Sequence, residues 1–231
     1  KRIVFISGGI SHTAYGGIGL GYYLGFNPML GATLFTITAA LGMGLVQQRS
    51  SQRQDTVIGV MWAVGMALGI MFIKLSPGYT ADLMSYLFGS ILTVPQRDIL
   101  FILLLDLLII AAVFRYFEEF KAIAFDEEFA RVSGLKVEFF NILLLILVAL
   151  TVVVMIRAVG IILVIALLTI PPAIAGEFSR GLKGMMGFSV VLGIIFTTAG
   201  LYLSYLFDLP SGATIILVAA AGYILALLMK K

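Results

Sequence analysis

The chain has 231 residues, 61% of them hydrophobic and 12% charged, with a net charge of +3 and a mean hydropathy of +1.12. A soluble domain carries about 25% charged residues, so this chain cannot cover itself with polar surface and reads as an integral membrane protein. The small positive charge gives no footprint for nucleic acid, and the lack of Cys excludes disulfides and thiolate metal sites.

A helix needs about 20 apolar residues to cross a bilayer. Eight spans are predicted, at Ile3–Gly25, Met29–Gln47, Thr56–Leu75, Ile99–Tyr116, Phe139–Ile156, Val159–Phe178, Met185–Phe207 and Ala213–Met229. Asn27-Pro28 makes the first turn. Cytoplasmic loops collect Lys and Arg. With both visible ends inside, strict alternation leaves only Lys74, Arg97 and Arg157 of the 15 basic residues outside. No apolar segment is followed by a cleavage site and a soluble domain, so no signal peptide is read. The chain opens on Lys1-Arg2, not Met, and is expected to begin inside a longer product.

The first span is rich in glycine: Gly8, Gly9, Gly16, Gly17, Gly19, Gly21 and Gly25. Gly17, Gly21 and Gly25 recur every fourth residue, a spacing that predicts a face for close helix packing. Gly65 and Gly69 repeat it more weakly. The same span holds His12, the only histidine. Ionisable groups inside a bilayer are costly and face a bundle interior or a wet cavity, and imidazole is a common ligand for divalent transition metals. A neutral His bonded to a neighbouring carbonyl is the structural alternative. One His cannot close a cage of about four ligands, so only a transient site, completed by carboxylates, water or a second copy of the chain, is open to it.

In the outer loop from Ser76 to Asp98, the apolar piece Leu83–Val94 is too short to span and is expected to be re-entrant or interfacial, with Tyr79 and Tyr86 near it. Asp106, in LLLDLLII, is the other ionisable residue deep in a span. It is a metal candidate or a structural Asp bonded to hydroxyls on a neighbouring helix. Pro171-Pro172, inside the sixth span, predicts a kink, a hinge or a break.

The longest polar stretch reads FEEFKAIAFDEEFARVSGLKVE from Phe117, and its loop runs from Glu118 to Glu138. Asp126 is placed to cap a short helix, with Glu127 and Glu128 at its positive end, Arg131 and Ser133 in its last turn, and Gly134 as its stop. Phe125, Phe129 and Val132 share one apolar face. Helices that rest on lipid carry Lys and Arg on the polar face, whereas this one is led by three acids. The pattern favours docking into a protein groove. No HExxH pair and no phosphate-binding glycine loop occur, so the chain is read as no enzyme and no nucleotide hydrolase of its own.

Five ordered segments, ISGGISHTAYGGIGLGYYLGFNPMLGA, RQDTVIGVMWAVGMALGIMF, SYLFGSIL, FDEEFARVSGL and VGIILVIALLTIPPAIA, resemble the permease subunits of ABC importers for zinc, manganese and ferrous iron. The resemblance covers the chain from Lys1 to its end. It implies one all-α transmembrane permease domain over residues 1–231, with a fold like that of the cobalamin and siderophore permeases and without a family N-terminal helix. It further implies a plasma-membrane homodimer, two cytoplasmic ATP-binding subunits and an extracytoplasmic metal-binding protein. No permanent cofactor is implied; the metal ion is cargo. The segment Asp126, Glu127, Glu128, Phe129, Arg131, Val132, Ser133 and Gly134 corresponds to the helix that couples to the ATPase. Two positions depart from the family. Many members carry Asp four residues before the His, where this chain has Gly8, and Pro-Ala where it has Pro171-Pro172. A secondary metal transporter or a siderophore-type ABC permease are the alternatives. The former would need a network of intramembrane acids, and Asp106 is nearly alone.

Overall fold

In the computed structural model residues 3–49, 54–77, 89, 94 and 96–229 are described, and every regular element among them is an α-helix. The helices are α1 (Ile3–Leu24), α2 (Pro28–Arg49), α3 (Gln54–Leu75), α4 (Gln96–Arg115), α5 (Phe117–Phe125), α6 (Glu127–Val132), α7 (Val137–Phe178), α8 (Leu182–Phe207) and α9 (Ser211–Met229). They fall into two compact units, Lys1–Ala81 with Pro95–Val154, and Asp82–Val94 with Met155–Lys231. The expected re-entrant piece lies outside the described residues apart from Gly89 and Val94, as do Tyr79 and Tyr86.

Among the described residues six stretches are long and apolar enough to cross a bilayer: Pro28–Val46, Thr56–Leu75, Val137–Ile156, Ala158–Phe178, Leu182–Phe207 and Ser211–Met229. Ile99–Arg115 and Phe117–Phe125, bent by 65° where they meet, make a seventh if they form one broken span. The count therefore differs from the eight expected. The remaining candidate, α1, has the length of a span at 22 residues but is diluted by Gly, Ser, His and Tyr. It needs no lipid-facing surface, because every residue from 6 to 19 is buried.

In the first unit α1 packs on α2 and on α3, which scarcely touch each other. Glycine permits both contacts. A Cβ on Gly17 would overlap the backbone of Gly31 in α2, and one on Gly21 would stand 2.6 Å from Cα of Pro28. On the α3 side, Gly19 faces the Gly69 carbonyl at 2.6 Å and Gly65 faces Cα of Thr13 at 2.6 Å by the same measure. Real Cβ contacts do not come so close, so these are backbone-to-backbone seams. Gly25 does not belong to them. A Cβ there would meet nothing within 4 Å, and its φ of +72° is a left-handed cap. The Phe26 N–H then donates back to the Gly21 carbonyl at 3.0 Å, closing the helix in the manner of a Schellman turn. The spacing was right, but the third glycine ends the helix instead of packing it.

In the second unit the last part of α7 packs with α8 and α9 around Ile174, Phe196 and Ala219. The expected break at Pro171-Pro172 is displaced. Both prolines sit inside helix, and the residue with non-helical dihedrals is Gly160, at φ 77° and ψ 164°. Proline removes a donor, but its own φ near −65° is helical; the extended left-handed conformation at 160 is open only to Gly at low cost.

Large apolar side chains remain exposed on most helices. Leu100, Leu103, Leu104 and Leu107 of α4, Val190 and Ile194 of α8, and Leu217, Leu225 and Leu228 of α9 are each at least 59% exposed. In water such a surface would aggregate; in lipid it is the natural exterior. The α1–α2 seam is the part intolerant of added volume. Gly17→Ala is expected to destabilise the protein by about 1–3 kcal/mol through overpacking, read as a lower Tm in detergent. Gly42→Ala, where a Cβ meets nothing within 4 Å, is expected to leave Tm unchanged.

Candidate functional site

Two places in the first unit carry the residues singled out by sequence. The first is the seam between α1 and α3. Burial of α1 from residue 6 to 19 brings Ser7, Ser11, His12 and Thr13 inside. The hydroxyls are satisfied locally. Oγ of Ser11 donates to the Ser7 carbonyl at 2.7 Å, and Oγ1 of Thr13 donates to the Gly9 carbonyl at 2.8 Å. His12 is different. Its ring stacks on Trp62 of α3, with centroids 4.1 Å apart and planes 17° from parallel, while Nδ1 is buried with no hydrogen-bond partner among the described residues. The expected alternative, an imidazole bonded to a neighbouring carbonyl, is not met at Nδ1. One turn onward the hydroxyl of Tyr15, wholly buried, is likewise without a partner. Leaving a buried polar group unpaired costs about 1–3 kcal/mol, so this pair is a reserve of unused coordination in an otherwise satisfied seam.

Gly8, where the family resemblance leads an Asp to be expected, has Trp62 as its neighbour. A Cβ at residue 8 would lie 3.2 Å from Cζ3 of that indole. The room a carboxylate would use holds an aromatic ring. Asp106 is exposed on α4, and among the described residues no three His, Asp or Glu side chains gather where they could hold a metal ion. What the seam offers is a single imidazole edge. Sequence reasoning missed Trp62 and Tyr15. The signal available was a lone tryptophan on a helix with the Gly65 and Gly69 spacing, facing a partner helix that is also built on glycine.

The second place is the polar loop. α6 is capped at both ends. The Phe129 N–H donates to Oδ1 of Asp126 at 2.9 Å, and Gly134, at φ +86°, allows the Leu135 and Gly134 N–H groups to donate to the Ala130 and Arg131 carbonyls, each at 3.1 Å. That pair of bonds is the Schellman pattern. Ile123, Ala130 and Val137 form a small core joining α5, α6 and the start of α7. Nδ2 of Asn141 donates to Glu127 at 3.0 Å, and Arg131 pairs with Glu138. With one face so anchored, the opposite face is open: Phe125 is 77%, Phe129 69% and Val132 88% exposed.

An all-helical chain with lipid-type exterior on its long helices, a buried polar seam and an outward apolar helix in its loop is a multi-spanning membrane protein of the permease class. The chain belongs to the ABC 3 transport family, whose model matches residues 1–230. It is 53% identical over 231 residues to an uncharacterized membrane protein of Synechocystis, covering all of this chain and 82% of the other. It is 37% identical to the manganese transport system membrane protein MntC of Listeria monocytogenes, over 95% of this chain and 78% of that one. With the high-affinity zinc uptake system membrane protein ZnuB of Haemophilus influenzae it shares 26% identity, over 100% of this chain and 88% of the relative. Among solved structures, PsaBC from Streptococcus pneumoniae in complex with a Fab superposes with a TM-score of 0.85 at 31% identity, covering 97% of this chain and 80% of that one.

The N-cap bond of α6 can be tested directly. Asp126→Ala is expected to cost about 0.5–2 kcal/mol and to raise hydrogen exchange across 127–132, while exchange in α8 stays as in the wild type.

Proposed function

We propose that the chain is the membrane-spanning permease subunit of an importer of divalent transition metal ions, working as a homodimer in the plasma membrane with both visible termini cytoplasmic. Two copies of a separate cytoplasmic subunit hydrolyse ATP, and an extracytoplasmic metal-binding protein delivers the ion. Support for the cargo comes from the manganese and zinc transport relatives, and the higher identity to the manganese relative makes Mn²⁺ the first ion to test. The observation that carries the reading is the buried, unpartnered Nδ1 of His12, a nitrogen of the kind that binds such ions. The cation passes between protomers near His12 as the bundle alternates between outward and inward openings.

Coupling to the ATPase falls to α6. Its exposed Phe129 and Val132, with Phe125 at the end of α5, form the docking face, and Glu127 and Glu128 at its N-terminus favour a groove with basic residues. The chain itself holds no phosphate-binding loop, which fits hydrolysis on a partner. Pro171 and Pro172 lack the N–H groups that would bond the Leu167 and Leu168 carbonyls, and Gly160, with its non-helical dihedrals, is the more natural hinge.

His12→Ala is expected to reduce Mn²⁺ uptake at least about tenfold while the ATP-binding subunit still co-purifies; wild-type uptake by this variant would take His12 out of the pathway. Phe129→Asp places a charge on the docking face, and losses at such anchors reach about 2 kcal/mol or more. The ATP-binding subunit is then expected to be lost on purification, and its retention would refute the coupling role.

A further inference from the structure

Trp62 is the only tryptophan of the chain, and its indole covers two positions of one α1 face, Gly8 and His12, one turn apart. The two rings differ in exposure: His12 is 8% exposed and Trp62 39%. A half-exposed indole thus lies over an imidazole whose Nδ1 is buried and unpartnered. Gly8 is what admits the indole, since any side chain there would press on the ring edge.

We propose that Trp62 is the positioning residue for His12, fixing the plane of the imidazole and strengthening its hold on the cation. The proposal rests on the reading of His12 as a pathway ligand. A metal binds imidazole through a nitrogen lone pair, which lies in the plane of the ring. A stacked neighbour occupies the π face and leaves the in-plane directions open. The indole therefore orients the ligand without competing with the ion. Once a nitrogen is bound to a divalent cation the imidazole carries positive charge, and the negative π face of the indole attracts it. Contacts of that kind strengthen binding by roughly 2- to 30-fold. A leucine at 62 would keep apolar volume but supply no π face; a phenylalanine would supply one.

Intrinsic fluorescence reads the pair directly. The full-length chain in lipid nanodiscs is titrated with Mn²⁺ and, separately, with Zn²⁺. Subtracting the signal of Trp62→Phe isolates Trp62. Its emission is expected to change saturably with at least one of the ions, and His12→Ala is expected to abolish the change. In cells carrying the complete transporter, Trp62→Leu is expected to raise KM for uptake of that ion roughly 2- to 30-fold with Vmax kept, and Trp62→Phe to bring KM back toward wild type. Emission indifferent to both ions, or a wild-type KM in Trp62→Leu, overturns the role of Trp62 while loss of uptake in His12→Ala leaves the pathway reading standing. Wild-type uptake in His12→Ala overturns both. Should Trp62→Leu fail to accumulate in the membrane, the emission titration of the unmodified chain decides alone.

Discussion

Helices in lipid gain little from hiding apolar surface from one another, because the tails around them are as apolar as leucine; they associate through close packing and polar contact. Everything in the first unit depends on that closeness at α1. Gly17 and Gly21 bring it against the backbone of α2, and Gly19, Gly65 and Gly69 bring it against α3. With two neighbours this near, α1 is buried along its middle. Burial in turn lets the helix carry Ser7, Ser11, His12 and Thr13 at positions where contact with lipid would be costly. The site and the packing are thus one feature: a bulkier α1 would stand off from its neighbours and expose the residues that it now shelters.

Much of this was legible in the sequence where one residue type decides the outcome. Asp126 and Gly134 could be read as cap and stop because each has a local bond to make, and both make it. Gly17 and Gly21 could be read as packing positions because helical spacing alone puts them on one face. The second glycine seam, toward α3, was legible only in part: Gly65 and Gly69 repeat the spacing, but spacing does not say which of several neighbours a helix will meet. Gly25 shared the period but lies where the chain turns, so its φ matters more than its face. At Gly160 a lone glycine in an apolar run was outweighed by the adjacent prolines downstream. Proline is the louder signal, yet its own dihedral is helical, and only glycine could take the conformation found there. Trp62 gave only a weak signal, as a lone tryptophan on the helix of Gly65 and Gly69. Its meaning lies in what it touches across the seam, and no local pattern reveals that Gly8 clears space for it.

The loop shows the opposite arrangement, in which caps, a small apolar core and polar contacts hold a short charged element in place. α6 has only six residues, far too few for stability alone. Its two caps, the Ile123–Ala130–Val137 core and the Asn141 and Glu138 contacts fix it to α5 and the first turns of α7. In the coupling role proposed for it, a helix so braced would pass a load on Phe129 to the base of α7 instead of absorbing it by fraying.

The two places also divide the chemistry between strong and weak holding. A protein partner needs a durable surface, and the α6 face has large apolar side chains on a braced frame. A transported ion needs the reverse: a site favourable enough to enter and weak enough to leave. A cage of about four ligands would retain zinc. Among the described residues the α1–α3 seam sets one imidazole edge and one tyrosine hydroxyl on neighbouring turns, with no carboxylate gathered beside them. On the proposed reading, the indole beside Gly8 and His12 strengthens the hold on the ion through its π face without adding a formal negative charge. For a permease, a poor trap is the suitable one.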